Sequence, residues 1–276
     1  MTDTSRPARA PLDHAQYVDV VREEFERFLT ALQGVDLASP VPSCEGWTAG
    51  DLLWHLTEVQ HAWAEVVATG RPMDELPVPE RPADVELLAA APASGTALVL
   101  ALAERSPEQP CWSWHDDGGT VGWVARRQAH EALIHRVDAE LTAGLAVAPP
   151  TVALALDGVD ELLRVMVDGV PEWGTFTPDG VRVRLACTNA DAAWDLALGR
   201  FTGTGPESGK AYDLDAAAVH DVVAGSRDAG ADLVVSASAW ELDRWLWGRG
   251  DSSALEVTGE PALLDRLRAL VTDATQ

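Results

Sequence analysis

The chain has 276 residues, 47% of them hydrophobic and 23% charged, enough for one large domain or two modest ones with a real core. Its formal net charge is −24, from 44 acidic against 20 basic residues. A field of that sign repels phosphate, so nucleic acid and anionic membrane surfaces are excluded as partners, and an anionic small molecule would need local cations to hold it.

In chain order, residues 1–12 are polar and Pro- and Arg-bearing, and read as a disordered lead-in without a signal peptide. Apolar residues Tyr17, Val20, Val21, Phe25, Phe28, Leu29 and Leu32 recur at helical spacing, which predicts a first helix over about 13–33, stopped by Gly34. A Pro-rich loop, Ser39 to Gly46, follows. Thr48 with Asp51 three residues on has the form of a capping box, opening a second helix to about Ala68. A third, Ala- and Leu-rich helix over 83–105 is expected to be interrupted at Pro92 and Gly95. A fourth starts near Thr120 and ends before Gly144. No stretch is read as approaching the roughly 20 apolar residues of a membrane span. Four helices with loops of varied length suggest an antiparallel bundle.

Pro149-Pro150 marks a change of texture. Beyond it the pattern gives a helix over 151–167, strands over 181–187, 194–201 and 231–238, a short helix over 240–247, a strand over 254–258 and a closing helix from Pro261 to Thr272. That mixture suggests a small α+β domain. The expected layout is a lead-in over 1–12, a helical domain over 13–147 and an α+β domain over 148–276. The active site is expected in the cleft between the two.

Cys44, Cys111 and Cys187 lie far apart, with no CxxC pair, so neither a disulfide framework nor a cysteine zinc site is supported. A reducing cytoplasm is the simplest setting. Metal ligands must then be sought among histidines and carboxylates. Glu131 and His135 stand four apart in the fourth predicted helix, which stacks them on one face. Such a pair can share a metal if another element brings a third ligand. His55 is the candidate, since His61 and His130 point about 120° and 140° away from His55 and His135 on their own helices. From composition and spacing together the pair reads equally as a contact on a solvated helix face. Eleven Trp against two Tyr and four Phe are unusual; they read either as core or as an aromatic wall around a pocket at one end of the bundle.

Three runs carry a resemblance. They are Pro42-Ser43-Cys44-Glu45-Gly46-Trp47-Thr48 with Asp51-Leu52 and Trp54-His55-Leu56, then Trp123 to Glu131 with His135-Arg136-Val137-Asp138-Ala139-Glu140, then Leu242 to Arg249 with Leu255-Glu256-Val257-Thr258-Gly259. In this order they resemble the mycothiol-dependent maleylpyruvate isomerase family. The resemblance implies a DinB-like four-helix N-terminal domain with a divalent metal, usually zinc, and a C-terminal α+β domain like sterol carrier proteins. It carries the metal ligands onto His55, Glu131 and His135, and the family's C-terminal arginine onto Arg249. It also implies mycothiol as cofactor, its sulfur on the metal as nucleophile toward a small electrophile, in isomerisation or S-transfer. Arg249 is thus the candidate catalytic residue, and Arg249 and Trp54 are the candidate cofactor-binding residues. Arg126, Arg127 and Arg136 are read as structural or surface ion-pair partners. The partners expected are a small-molecule substrate and a low-molecular-weight thiol, with the chain a monomer or homodimer. A zinc hydrolase with Glu58 or Glu131 as base, and a ligand carrier or a thiol or metal sensor, stand as alternatives.

Overall fold

The computed structural model describes residues 12–115, 118–220 and 230–275, which form two compact units that divide in the sequence between Pro149 and Pro150. The lead-in expected over 1–12 lies outside the described residues except for Leu12, which packs on the helical core.

The first unit is four helices: α1 (His14–Leu32), α2 (Ala49–Thr69), α3 (Asp84–Ala103) and α4 (Val121–Thr142). Their starts are fixed by short polar side chains that satisfy exposed helical N–H groups. Asp13 and Gln16 form a reciprocal capping box on α1, and Thr48 and Asp51 form one on α2, as the sequence suggested. The Thr48 hydroxyl and amide, with Arg81 beside them, hold the Asp51 carboxyl down at about 2. One core cluster joins Phe25, Phe28 and Leu32 of α1 to Leu52, Leu53 and Leu56 of α2 and Leu87 of α3. A second joins Val21, Trp63, Val67, Leu98, Leu102 and Val124.

Two expectations about α3 need correction. It runs unbroken through Pro92 and Gly95. Gly95 is there for packing: a Cβ at that position would overlap the Phe25 ring of α1. It is also long and apolar enough, with a mean hydropathy of 1.7, to cross a membrane by length and composition. One side of it serves the bundle, with Leu87, Ala91, Leu98, Ala101 and Leu102 buried there, while Val85 and Leu100 are exposed.

α4 is the central helix and is buried on nearly every side, polar residues included. Buried charge is tolerated only when paired, and α4 meets that condition. Arg136, with no exposed surface, reaches Glu24 and Glu140 at 2.7 Å each and the Ala148 carbonyl at 2.7 Å. It is structural, as expected.

The second unit opens with α5 (Val152–Glu161), which widens into a π-helical turn over Leu162–Val167. The strands are β1 (Gly174–Cys187), β2 (Ala193–Thr204), β3 (Ala211–His220), β4 (Leu233–Ala237) and β5 (Glu256–Gly259). The helices among them are α6 (Ala239–Leu246) and α7 (Pro261–Ala274). The sheet order is β3-β2-β1-β4-β5, antiparallel except for β1 with β4. Register puts Val183 opposite Leu196 and Leu233, and Leu185 opposite Trp194 and Val235, so these six buried side chains share one face. The α+β expectation holds, with β3 added and β1 begun seven residues earlier than Val181.

Candidate metal centre

His55 on α2 and Glu131 and His135 on α4 converge, each offering one ligand atom, with those atoms all within 4.8 Å of one another. The Glu131 Oε1 atom lies 3.2 Å from His55 Nε2 and 3.2 Å from His135 Nε2. The two imidazoles meet edge-on, centroids 4.8 Å apart at 74°. This is one turn of α4 facing one residue of α2, the stacking that the four-residue spacing allows. Two imidazole nitrogens and a carboxylate oxygen suit zinc or a similar divalent ion.

Behind this group stands a second layer. Asp138, fully buried, takes a hydrogen bond at 2.9 Å on Oδ2 from His135 Nδ1. A proton on Nδ1 turns Nε2 toward Glu131 and His55 as the lone-pair face of the neutral ring. Asp138 also accepts from the Ser43 hydroxyl at 2.5 Å and the Cys44 thiol at 3.6 Å. The turn before α2 is thereby tied to α4. Val41 N–H donates to the Trp47 carbonyl at 2.9 Å, and Gly46 supplies the left-handed residue, φ +81°, that closes the turn. The result is that Trp47 stands over both imidazoles, 4.8 Å from His55 and near-parallel to His135 at 6.3 Å.

The other Glu131 oxygen is held by Arg127, one turn earlier on α4. Burial opposes the Glu131 charge, but Arg127 and His135 overcome it and keep the carboxyl well below the usual carboxylate range. His135 is pushed the opposite way: burial disfavours its charge, yet Glu131 and Asp138 raise it to about 9. Glu131 thus meets Arg127 on one oxygen, and a proton on His135 or a divalent ion balances the charge that Glu131 and Asp138 place beside that imidazole.

Of the residues singled out in the sequence, the structure brings His55, Glu131 and His135 together. Trp54 lies against the core cluster around Leu52 and Leu56, and the indole at the imidazoles is that of Trp47. Arg249 belongs to the second unit, where its backbone N–H reaches the Arg244 carbonyl at 2.8 Å and its guanidinium the Trp247 carbonyl at 2.6 Å. His130 is buried, and His14 is partly buried with Nε2 3.0 Å from the Leu102 carbonyl. Trp63, Trp112 and Trp123 are mainly core, with centroids about 6 Å apart (5.9 and 6.1 Å from Trp63), while Trp114 is half exposed. Sequence reasoning passed over Asp138 and Ser43. The signal for Asp138 was its place three residues after His135, within reach on one helix face.

Comparison with known proteins adds an independent line. The model described as "Mycothiol maleylpyruvate isomerase N-terminal domain" matches residues 18–140, and the model described as "MDMPI C-terminal domain" matches residues 153–266. Among solved structures, the chain is similar to a crystal structure of mycothiol-dependent maleylpyruvate isomerase, with 18% identity and TM-score 0.57. It is also similar to a histidine-to-alanine mutant of such an isomerase, with 16% identity and TM-score 0.58. Both alignments cover 90% of this chain and 95% of the other. At those identities the likeness is one of fold. No curated protein matches.

Proposed function

Because this chain belongs to the mycothiol-dependent maleylpyruvate isomerase family, and so is an enzyme of the mycothiol-dependent isomerase or transferase kind, we propose that it holds a divalent metal, zinc first, on His55, Glu131 and His135. When bound, the metal supplies the positive charge that deprotonates a coordinating thiol near neutral pH, and mycothiol supplies that thiol as the nucleophile toward a small electrophile.

The chain's own residues prepare that chemistry. Three protein ligands leave a coordination position for an exogenous group, the arrangement of a catalytic site. None of the three is a thiolate, so less of the metal's charge is neutralised by protein. Asp138 fixes the His135 tautomer. Arg127 occupies one Glu131 oxygen and leaves Oε1 facing the imidazoles. Trp47 shields one side of the rings, while the His55 side chain keeps a third of its surface open. Arg249 is assigned to substrate or cofactor recognition, for which a guanidinium offers charge-assisted hydrogen bonds to oxygen acceptors. The three cysteines, none of them bridged by a disulfide, fit a reducing cytoplasm, where low-molecular-weight thiols are kept reduced.

The observation that carries the reading is the convergence of three donor atoms from two helices with a buried carboxylate behind one of them. The test is turnover by the metal-loaded protein with mycothiol and maleylpyruvate, then with epoxides and with activated sulfur or sugar donors. The expected result is thiol-dependent turnover, about one metal equivalent per chain, and loss of both in His135→Ala. Turnover that ignores added thiol would replace this reading with a hydrolase using metal-bound water.

A further inference from the structure

A cavity of about 240 Å³ lies along α2, walled by Glu58, Val59, Ala62 and Trp63 on the helix and by Met73, Leu76 and the turn from Pro77 to Pro79. Its position relative to the metal centre follows from helix geometry. Asp51, Glu58, Val59 and Ala62 all fall within about 60° of His55 around the α2 axis, and Glu58 is about 4.5 Å further along it. The cavity therefore begins one turn from a metal ligand, on the same face.

Its outer wall is the segment that follows α2. The chain leaves the helix at Gly70, in the left-handed conformation, turns through a 3-10 segment at Met73–Glu75, and runs back along the helix. It is pinned where it ends: Arg81 binds Asp51 at 2.6 Å and Asp84 at 3.1 Å. The same segment thus spans from the far end of α2 to a point one turn before His55. Pro72, Pro77, Pro79 and Pro82 stiffen it.

The lining is largely apolar, carries the Glu58 carboxylate, and among the described residues includes no Arg, Lys or His. A substrate carboxylate placed there would be desolvated without a partner and would face Glu58. An uncharged hydrocarbon or aromatic group would meet Val59, Ala62, Trp63, Met73 and Leu76. The volume is below the roughly 300–1,000 Å³ of drug-sized sites, which suits a small molecule or one arm of a larger one.

We propose that this cavity is the subsite for the electrophile, and that it selects an uncharged, largely apolar small molecule over a carboxylate of the same shape. The proposal rests on the metal–thiol reading above and adds the substrate class to it.

The test uses the metal-loaded full chain, mycothiol, and two epoxides of equal reactivity, styrene oxide and its para-carboxylate. In each, the thiol sulfur bonds to a ring carbon, the carbon–oxygen bond opens, and the thiol's proton ends on the new hydroxyl. The expected kcat/KM favours styrene oxide by about tenfold or more. Glu58→Gln narrows that gap by lowering KM for the carboxylate. Ala62→Phe fills the cavity and raises KM for styrene oxide by about tenfold, with metal content still near one equivalent. A preference for the carboxylate, or an unchanged KM in Ala62→Phe, overturns the proposal. Should neither epoxide turn over, turnover of maleylpyruvate with mycothiol decides the metal–thiol reading, and the cavity is judged by binding alone. Ethylbenzene, an unreactive analogue, should then shift the methyl resonances of Ala62 and Met73, and should fail to do so in Ala62→Phe; no shift in the wild-type protein overturns it.

Discussion

Replacing Asp138 by Ala should weaken metal binding without touching a ligand. The carboxylate has no exposed surface, and its donors include His135 Nδ1 at 2.9 Å, the Ser43 hydroxyl at 2.5 Å and the Cys44 thiol at 3.6 Å. Removing it frees the His135 ring to rotate and to place its proton on either nitrogen. Loss of such a partner typically costs 10- to 100-fold in metal affinity, about 1.4–2.7 kcal/mol. Asp138→Asn keeps the shape and one acceptor oxygen, but sets an amide NH₂ against other donors, so a smaller loss is expected. Ser43→Ala leaves the His135 contact in place and should cost least. The assay is competition for zinc with a chromophoric chelator near neutral pH, with circular dichroism to confirm the fold. A folded Asp138→Ala protein with wild-type zinc affinity would refute the reasoning, and a lowered Tm alone would assign Asp138 to packing.

The pH dependence has a definite sign. His135 is raised from 6.5 to about 9 in the folded chain, so its contribution to stability is complete below pH 6.5 and is lost as pH rises toward 9. Chelator-treated protein should lose Tm over that window, and metal-loaded protein should not, because the metal takes the proton's place. By the same linkage, apparent zinc affinity should rise about tenfold per pH unit up to about 9; a flat profile would contradict the charge assignment. Arg249→Ala should lower turnover while leaving metal content at one equivalent, and full activity in that variant would remove the arginine from the site. Gly95→Ala drives a methyl into the Phe25 ring and should cost about 1–3 kcal/mol, read as a fall in denaturant midpoint; no loss would mean the α1–α3 packing is misread.

What the sequence made legible is what local rules control. The Thr48–Asp51 box, the stop at Gly34, and the shared face of Glu131 and His135 all follow from spacing within one element. β3 escaped because it is an edge strand whose pattern is hidden: Asp213 and Asp215 face solvent to pair with Arg200 on β2, and Ala216 to Ala218 carry little hydrophobic contrast. Pro92 and Gly95 read as breaks because local propensity gives no hint that Phe25, seventy residues earlier, needs the space. The layer behind the metal ligands was hidden for the same reason. Ser43 meets Asp138 across 95 residues of sequence, and only the folded turn shows that Trp47, and not Trp54, covers the imidazoles.

The central claim is that His55, Glu131 and His135 hold a metal that receives an exogenous thiol. Cobalt(II) in place of zinc makes that claim visible, since a thiolate bound to cobalt gives an intense near-ultraviolet charge-transfer band and nitrogen or oxygen ligands do not. The cobalt-loaded protein should lack that band and gain it, at about one equivalent, when mycothiol is added, while His135→Ala should neither hold cobalt nor show the band. A cobalt spectrum that mycothiol leaves unchanged would contradict the account.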